Sequence, residues 1–160
     1  MDPVENAPPH EMNQFQHDDV DVLQKLRSHI NNEELNYYPV HQHNVYTTTP
    51  EILVGNRVPV EGKHYFLTER TPTRRGYVRK VDGGHWTGGK VDTIRNNAGN
   101  IAGYKQKFYF YAGDYDVTTG VRHTNWQMFE YYLDPNTVVN NDHNYAICMI
   151  YHTVQPARGA

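Results

Sequence analysis

Ten basic residues crowd the middle of this chain: Lys63, Arg70, Arg74, Arg75, Arg79, Lys80, Lys90, Arg95, Lys105 and Lys107. Only Glu69, Asp82 and Asp92 oppose them there. Ten cations less three acids leave +7 on residues 63–107, so the remainder must carry −10 to reach the formal net charge of −3. Such asymmetry either aims the segment at an anionic partner or makes it a solvated basic face. The chemistry on offer is contact with phosphates and base edges. A guanidinium pairs bidentately with a phosphate or with the acceptors of guanine, and a lysine supplies a point charge. Arg74 and Arg75, beside Gly76, suit a loop that runs along phosphates. Lys105 and Lys107 alternate with Tyr104 and Gln106, so in a strand both lysines share a face. They meet a phosphate backbone, or they form the solvent side of a strand buried on its other face.

Other chemistries find less support. Ten histidines invite a metal, but His41 and His43 stand apart from Cys148, and there is no Cys-x-x-Cys or His-Glu-x-x-His. Cys148 lies in an apolar run, where a thiolate is disfavoured and the thiol inert. The adjacent acids Asp18-Asp19 and Glu33-Glu34 fit helix starts better than acid–base work. Gly83-Gly84 and Gly88-Gly89 flank His85-Trp86-Thr87, but no Lys-Ser/Thr follows to make a nucleotide phosphate loop. These glycines let backbone approach a ligand, or they are plain turns. Trp86 stacks on a base, or it anchors the core. Nothing assembles into an active site, so the expectation is a protein that is not an enzyme, with no cofactor and no metal.

The elements that must position these residues follow from periodicity. Residues 18–30 read as a helix. Val20, Leu23, Leu26 and Ile30 share one face, with Asp18, Asp19 and Asp21 at its start and Lys25, Arg27 and His29 at its end. A second short segment, 31–38, closes at Pro39. Beyond it the runs HYFL (64–67), YKQKFYFY (104–111), NWQMFEYYL (125–133) and YAICMIY (145–151) read as strands between Gly, Asn and Pro turns. Helices first and short strands after predict an α+β fold: a twisted antiparallel β-sheet packed against short N-terminal helices. The expected organisation is a tail over residues 1–12, one domain over 13–152 and a short tail over 153–160.

One cysteine permits no internal disulfide, and the N-terminus has neither the basic nor the apolar region of a signal peptide. The longest near-apolar run, 145–151, is too short to cross a bilayer. The expectation is a reducing compartment, cytoplasm or nucleus, and no membrane partner.

Several islands, in order, resemble the plant NAC DNA-binding domain. Val45-Tyr46-Thr47-Thr48-Thr49-Pro50, with Leu53, is similar to I-Y-x-x-x-P-W-E-L. Lys63-His64-Tyr65-Phe66 is similar to W-Y-F-F. Residues 79–86 (RKVDGGHW) resemble R-A-T-G-S-G-Y-W, with Arg79, Gly84 and Trp86 in register. Gly103-Tyr104-Lys105 and Phe110-Tyr111-x-Gly113 resemble G-x-K-K-x-L-V-F-Y-x-G. Residues 124–133 (TNWQMFEYYL) resemble T-N-W-V-M-H-E-Y-R-L, the most specific island, and Tyr145-Ala146-Ile147-Cys148 resembles W-V-L-C.

The resemblance implies a sheet edge that enters the DNA major groove, dimerisation through the N-terminal segment, and transcription regulation in plant nuclei. The implied double-stranded DNA contacts are Arg70, Arg74, Arg75, Arg79, Lys80, Trp86, Thr87, Lys90, Lys105 and Lys107. The implied dimer contacts are Gln14, Phe15 and Asp21, in a homodimer or a heterodimer with NAC-like proteins. The first island lacks the pattern's tryptophan, and other departures fall among the implied DNA and dimer contacts. Where the family has W-K-A-T-G-K-D, this chain has Trp86-Thr87-Gly88-Gly89-Lys90-Val91-Asp92, without both lysines and with Lys90 one residue out of register. Gln14 stands for the arginine of the intersubunit ion pair, while Asp21 keeps the acidic end. Two functions therefore stand: a sequence-selective DNA binder, or a NAC-fold interaction module that pairs with other NAC-like chains and binds DNA weakly or not at all.

Overall fold

A computed structural model describes residues 18–34, 36–113, 122–139 and 142–153. Helix α1 (Asp19–Ile30) begins where the Asp18 side chain accepts from the Val20 amide at 2.8 Å. Asp19 and Asp21 occupy its positive end, and Arg27 and His29 its negative end. Its buried stripe is Val22, Leu23 and Leu26. Each such side chain contributes about 1.5–3 kcal/mol by leaving water.

Besides two short 3-10 turns (Pro135–Thr137 and Asp142–Asn144), the remaining elements are β1 (Val40–Gln42), α2 (Pro50–Val54), β2 (His64–Glu69), β3 (Lys80–Val81), β4 (Gly84–Arg95), β5 (Ile101–Ala112), β6 (Arg122–Leu133) and β7 (Tyr145–His152). They form one seven-stranded sheet in the order β1-β2-β7-β6-β5-β4-β3. Every pairing is antiparallel except β1 with β2, which run parallel through Val40↔Tyr65 and Gln42↔Leu67. The sheet is thus mixed, where the sequence predicted an antiparallel one. The second short segment forms no helix among its described residues. Residues 31–34 and 36–38 are turn and coil, and α2 starts at Thr49, which caps Ile52 through its hydroxyl, with Pro50 in the first turn.

Alternation along the strands splits the core in two. On one face Tyr65, Leu67, Ile94, Tyr131, Leu133, Ile147 and Met149 pack on α1. On the other, Phe66, Trp86, Phe108, Phe110, Met128, Cys148 and Ile150 pack under Val45, Tyr46, Leu53 and Val54. Among the described residues, no helix is long and apolar enough to cross a membrane.

Candidate nucleic-acid interface

Strand β4 sits one place from the sheet's end, and its only outer neighbour is the two-residue β3. Those strands pair through Lys80↔His85 and Val81↔Gly84, and the Trp86 amide donates to the Arg79 carbonyl at 3.0 Å. Past Trp86, no described strand pairs with the outer side of β4. Residues 87–91, 93 and 95 on this bare edge are exposed. Gly88-Gly89, which also read as a turn in the sequence, lies inside a twelve-residue strand.

The ladder slips within that edge. Gly88 stands opposite Phe108 and Val91 opposite Gln106, leaving Gly89 and Lys90 together across from Lys107. This is a bulge. Val91 shares the face of Gln106, while Lys90 reaches Asp92 at 3.4 Å on the other face and is 82% exposed. Lys90 therefore points away from Val91, the position of the second family lysine. Thr87, opposite Tyr109, lies on the Lys90 side.

Lys105 and Lys107 do share a face: both ammonium groups lie over the Phe129 ring, at 5.0 and 5.4 Å. Lys105 is also bound to Asp19 at 3.0 Å, tying β5 to the start of α1. Arg74 and Arg75 are exposed in the loop that precedes β3, and Lys80 is exposed at its start. Arg75 reaches an open cleft of about 540 Å³ behind the edge, which Tyr77, Arg79, Gly88, Gln106 and Phe108 also line.

Of the residues expected at DNA, Trp86 and Arg70 are buried and Arg79 is half-buried. Trp86 is 2% exposed, edge-on to Phe110, with its indole nitrogen buried and unpartnered. It is the core anchor, not a base stack. Arg70 is buried and donates to Glu130 at 3.0 Å and to the Asn144 carbonyl at 3.1 Å. Arg79 reaches the same carboxylate at 2.7 Å and 3.1 Å, and its side chain is 22% exposed. Tyr46 donates its hydroxyl to Glu130 as well. Burial opposes ionisation of Glu130, but Arg79 and Arg70 outweigh it and hold the carboxyl below its ordinary value. Both guanidinium groups are thus paired with one buried charge.

Glu130 and Tyr46 went unnoticed as partners in the sequence. One signal was present: Glu130 alternates with Met128 and Trp126, an acid at an inward position of an apolar strand. Gln106 stood out in the sequence as the spacer between two lysines and as a candidate to read bases beside Thr87 and Lys90. Of the residues expected at a dimer contact, Gln14 and Phe15 lie outside the described residues. Asp21 is half-buried on α1, its carboxyl pushed up by burial and then by Asp18, against the pull of Lys25.

A family model described as No apical meristem (NAM) protein matches residues 10–133. The chain belongs to the NAM family. This is the family of the NAC domain, whose members regulate transcription through DNA. The matched span takes in α1, the cationic loop, the bare edge of β4 and all of β6 with Glu130; β7 lies beyond it. No curated protein matches this NAM chain. Among the described residues, no group of three or more His, Cys, Asp or Glu could hold a metal ion. Cys148 is fully buried, and burial above all pushes its thiol up, away from nucleophilic use.

Proposed function

We propose that this NAM-family chain binds double-stranded DNA in the nucleus of a plant cell, with the outer edge of β4 toward the major groove. The observation that carries the reading is the bare edge beyond Trp86, with exposed cations around it: Arg74, Arg75 and Lys80 before β4, and Lys90 upon it. Lys107 lies just behind, on β5. Phosphate contacts of this kind fix position without reading sequence, and base readout falls to the few side chains on the edge, Thr87 and Lys90. Arg70, Arg79 and Trp86 support the platform from within.

Filter binding across a salt series tests this. With roughly four to six phosphate contacts, log K should fall against log salt with a slope of about −4 to −5. No binding at low salt, or a flat response, would overturn the proposal.

One observation favours the interaction-module reading. Of the cations in the basic segment, Arg70 and Arg79 are spent on Glu130 and Lys105 on Asp19. That leaves fewer free charges than the sequence advertises. Homodimers or heterodimers with NAC-like proteins belong to either reading. Random-duplex selection separates the two, since an interaction module enriches no site.

A further inference from the structure

Gly88 and Gln106 compete for one space. A Cβ built on Gly88 would lie 2.6 Å from Nε2 of Gln106, so the amide fills the hollow a side chain would need. The same Nε2 donates to the Gly89 carbonyl at 3.2 Å. One side chain thus packs under the residue before the bulge and ties down its first residue. Both positions depart from the resembled pattern, which carries alanine at 88 and lysine at 106.

We propose that Gln106 is a positioning residue for the DNA edge: its amide locks the Gly89–Lys90 bulge, and the lock presents Lys90 to the groove. The inference rests on the DNA-binding reading and deepens it. Two adjacent glycines on an unpaired edge are conformationally loose, and a bulge has already given up ladder bonds. A slip of one residue would carry Lys90 to the opposite face, because side chains alternate along a strand. Base discrimination needs a fixed direction of approach, whereas phosphate attraction does not. Gln106 therefore acts on sequence preference and leaves the salt slope alone.

The test compares wild type with Gln106→Leu, which keeps bulk and neutrality but has no donor. The probes are the best duplex from a random-sequence selection and its scrambled version, at fixed salt. Preference should fall about tenfold, the scale of one lost base contact, with the slope unchanged. Gly88→Ala, which must displace the amide, should give the same loss. In a Gln106→Ala background it should add nothing further, a non-additive cycle. Wild-type preference in Gln106→Leu, or additive losses, would overturn the lock. If the wild-type chain binds no duplex at low salt, the function reading fails. The lock is then judged alone by the backbone amide resonances of Lys90 and Val91, which must shift or broaden in Gln106→Leu for it to stand.

Discussion

Arg79 grips Glu130 with both arms of its guanidinium, although 51 positions separate them in the chain. Arg70 holds the same carboxylate from the loop after β2, and Tyr46 from the turn before α2. One acid on β6 therefore fastens three segments that precede β4. Two arginines against one carboxylate leave a surplus positive charge, which Arg79 spreads over the Tyr46 and Phe108 rings, at 5.1 and 4.4 Å.

Glu130→Gln should cost about 3–5 kcal/mol, since it strands two guanidinium groups near or in the interior. Arg79→Lys keeps the charge but cannot chelate both oxygens, so it should lose stability too, by less. The midpoint of urea unfolding reports both. An unchanged midpoint for Glu130→Gln would sink the keystone role.

For DNA, the expectation at Arg79 changes with its surroundings. Arg79→Ala should lower stability in the absence of any duplex, so its effect on affinity is indirect. Arg74→Ala and Arg75→Ala should instead leave stability alone and each reduce the salt slope by about 0.9. Arg122→Ala, at the start of β6 and away from the bare edge, should leave the slope unchanged. Equal slope changes at Arg75 and Arg122 would count against the location of the interface.

Gly103→Ala should destabilise the sheet. The added carbon would lie 2.5 Å from the Tyr132 carbonyl and 2.9 Å from the Leu23 side chain, pinched between β6 and α1. Backbone cannot yield as a flexible side chain does, so a cost of about 1–3 kcal/mol is expected. A melting temperature equal to wild type would contradict this packing.

Acidification should weaken the fold in two stages. Burial above all holds His29, His41, His64 and His85 below the ordinary 6.5, with Arg57 adding to the effect on His41 and His64. The unfolded chain then binds protons more readily than the folded one, so stability is intact above 6.5 and falls as pH drops below it. Glu130 acts later. Its folded value lies below the ordinary 4.5, so its contribution stands above 4.5 and is lost as pH falls through that lower value. Asp21, raised by burial, works in the opposite sense. Thermal melts from about pH 8 to about pH 3 check the signs. A melting temperature that climbs between pH 6.5 and 5 would refute the histidine assignment.

What the sequence made legible was local. The stripe through Leu23 and Leu26 announced α1, and the aromatic runs announced β5, β6 and β7, because alternation and helical period are written in neighbouring letters. Val22, buried at 1%, was the helix position that pattern overlooked. The glycine pairs concealed β4, since glycine reads as a turn wherever tertiary packing does not override it. The β1–β2 pairing was hidden too, since three residues carry no periodicity. Arg70 and Arg79 looked like free cations because their partner lies more than fifty positions away, and charge counting along a chain cannot see across a sheet.

The bare edge of β4 has a consequence for the protein at rest. An unpaired strand is a template on which a second sheet can grow, and a concentrated solution of such chains would join edge to edge. The bulge at Gly88–Val91 breaks the straight run of donors and acceptors that such growth needs. Lys90, Asp92 and Arg95 set charge along the rim, and the Lys90–Asp92 pair lies mostly in water. The same irregularity thus works against edge-to-edge joining of copies.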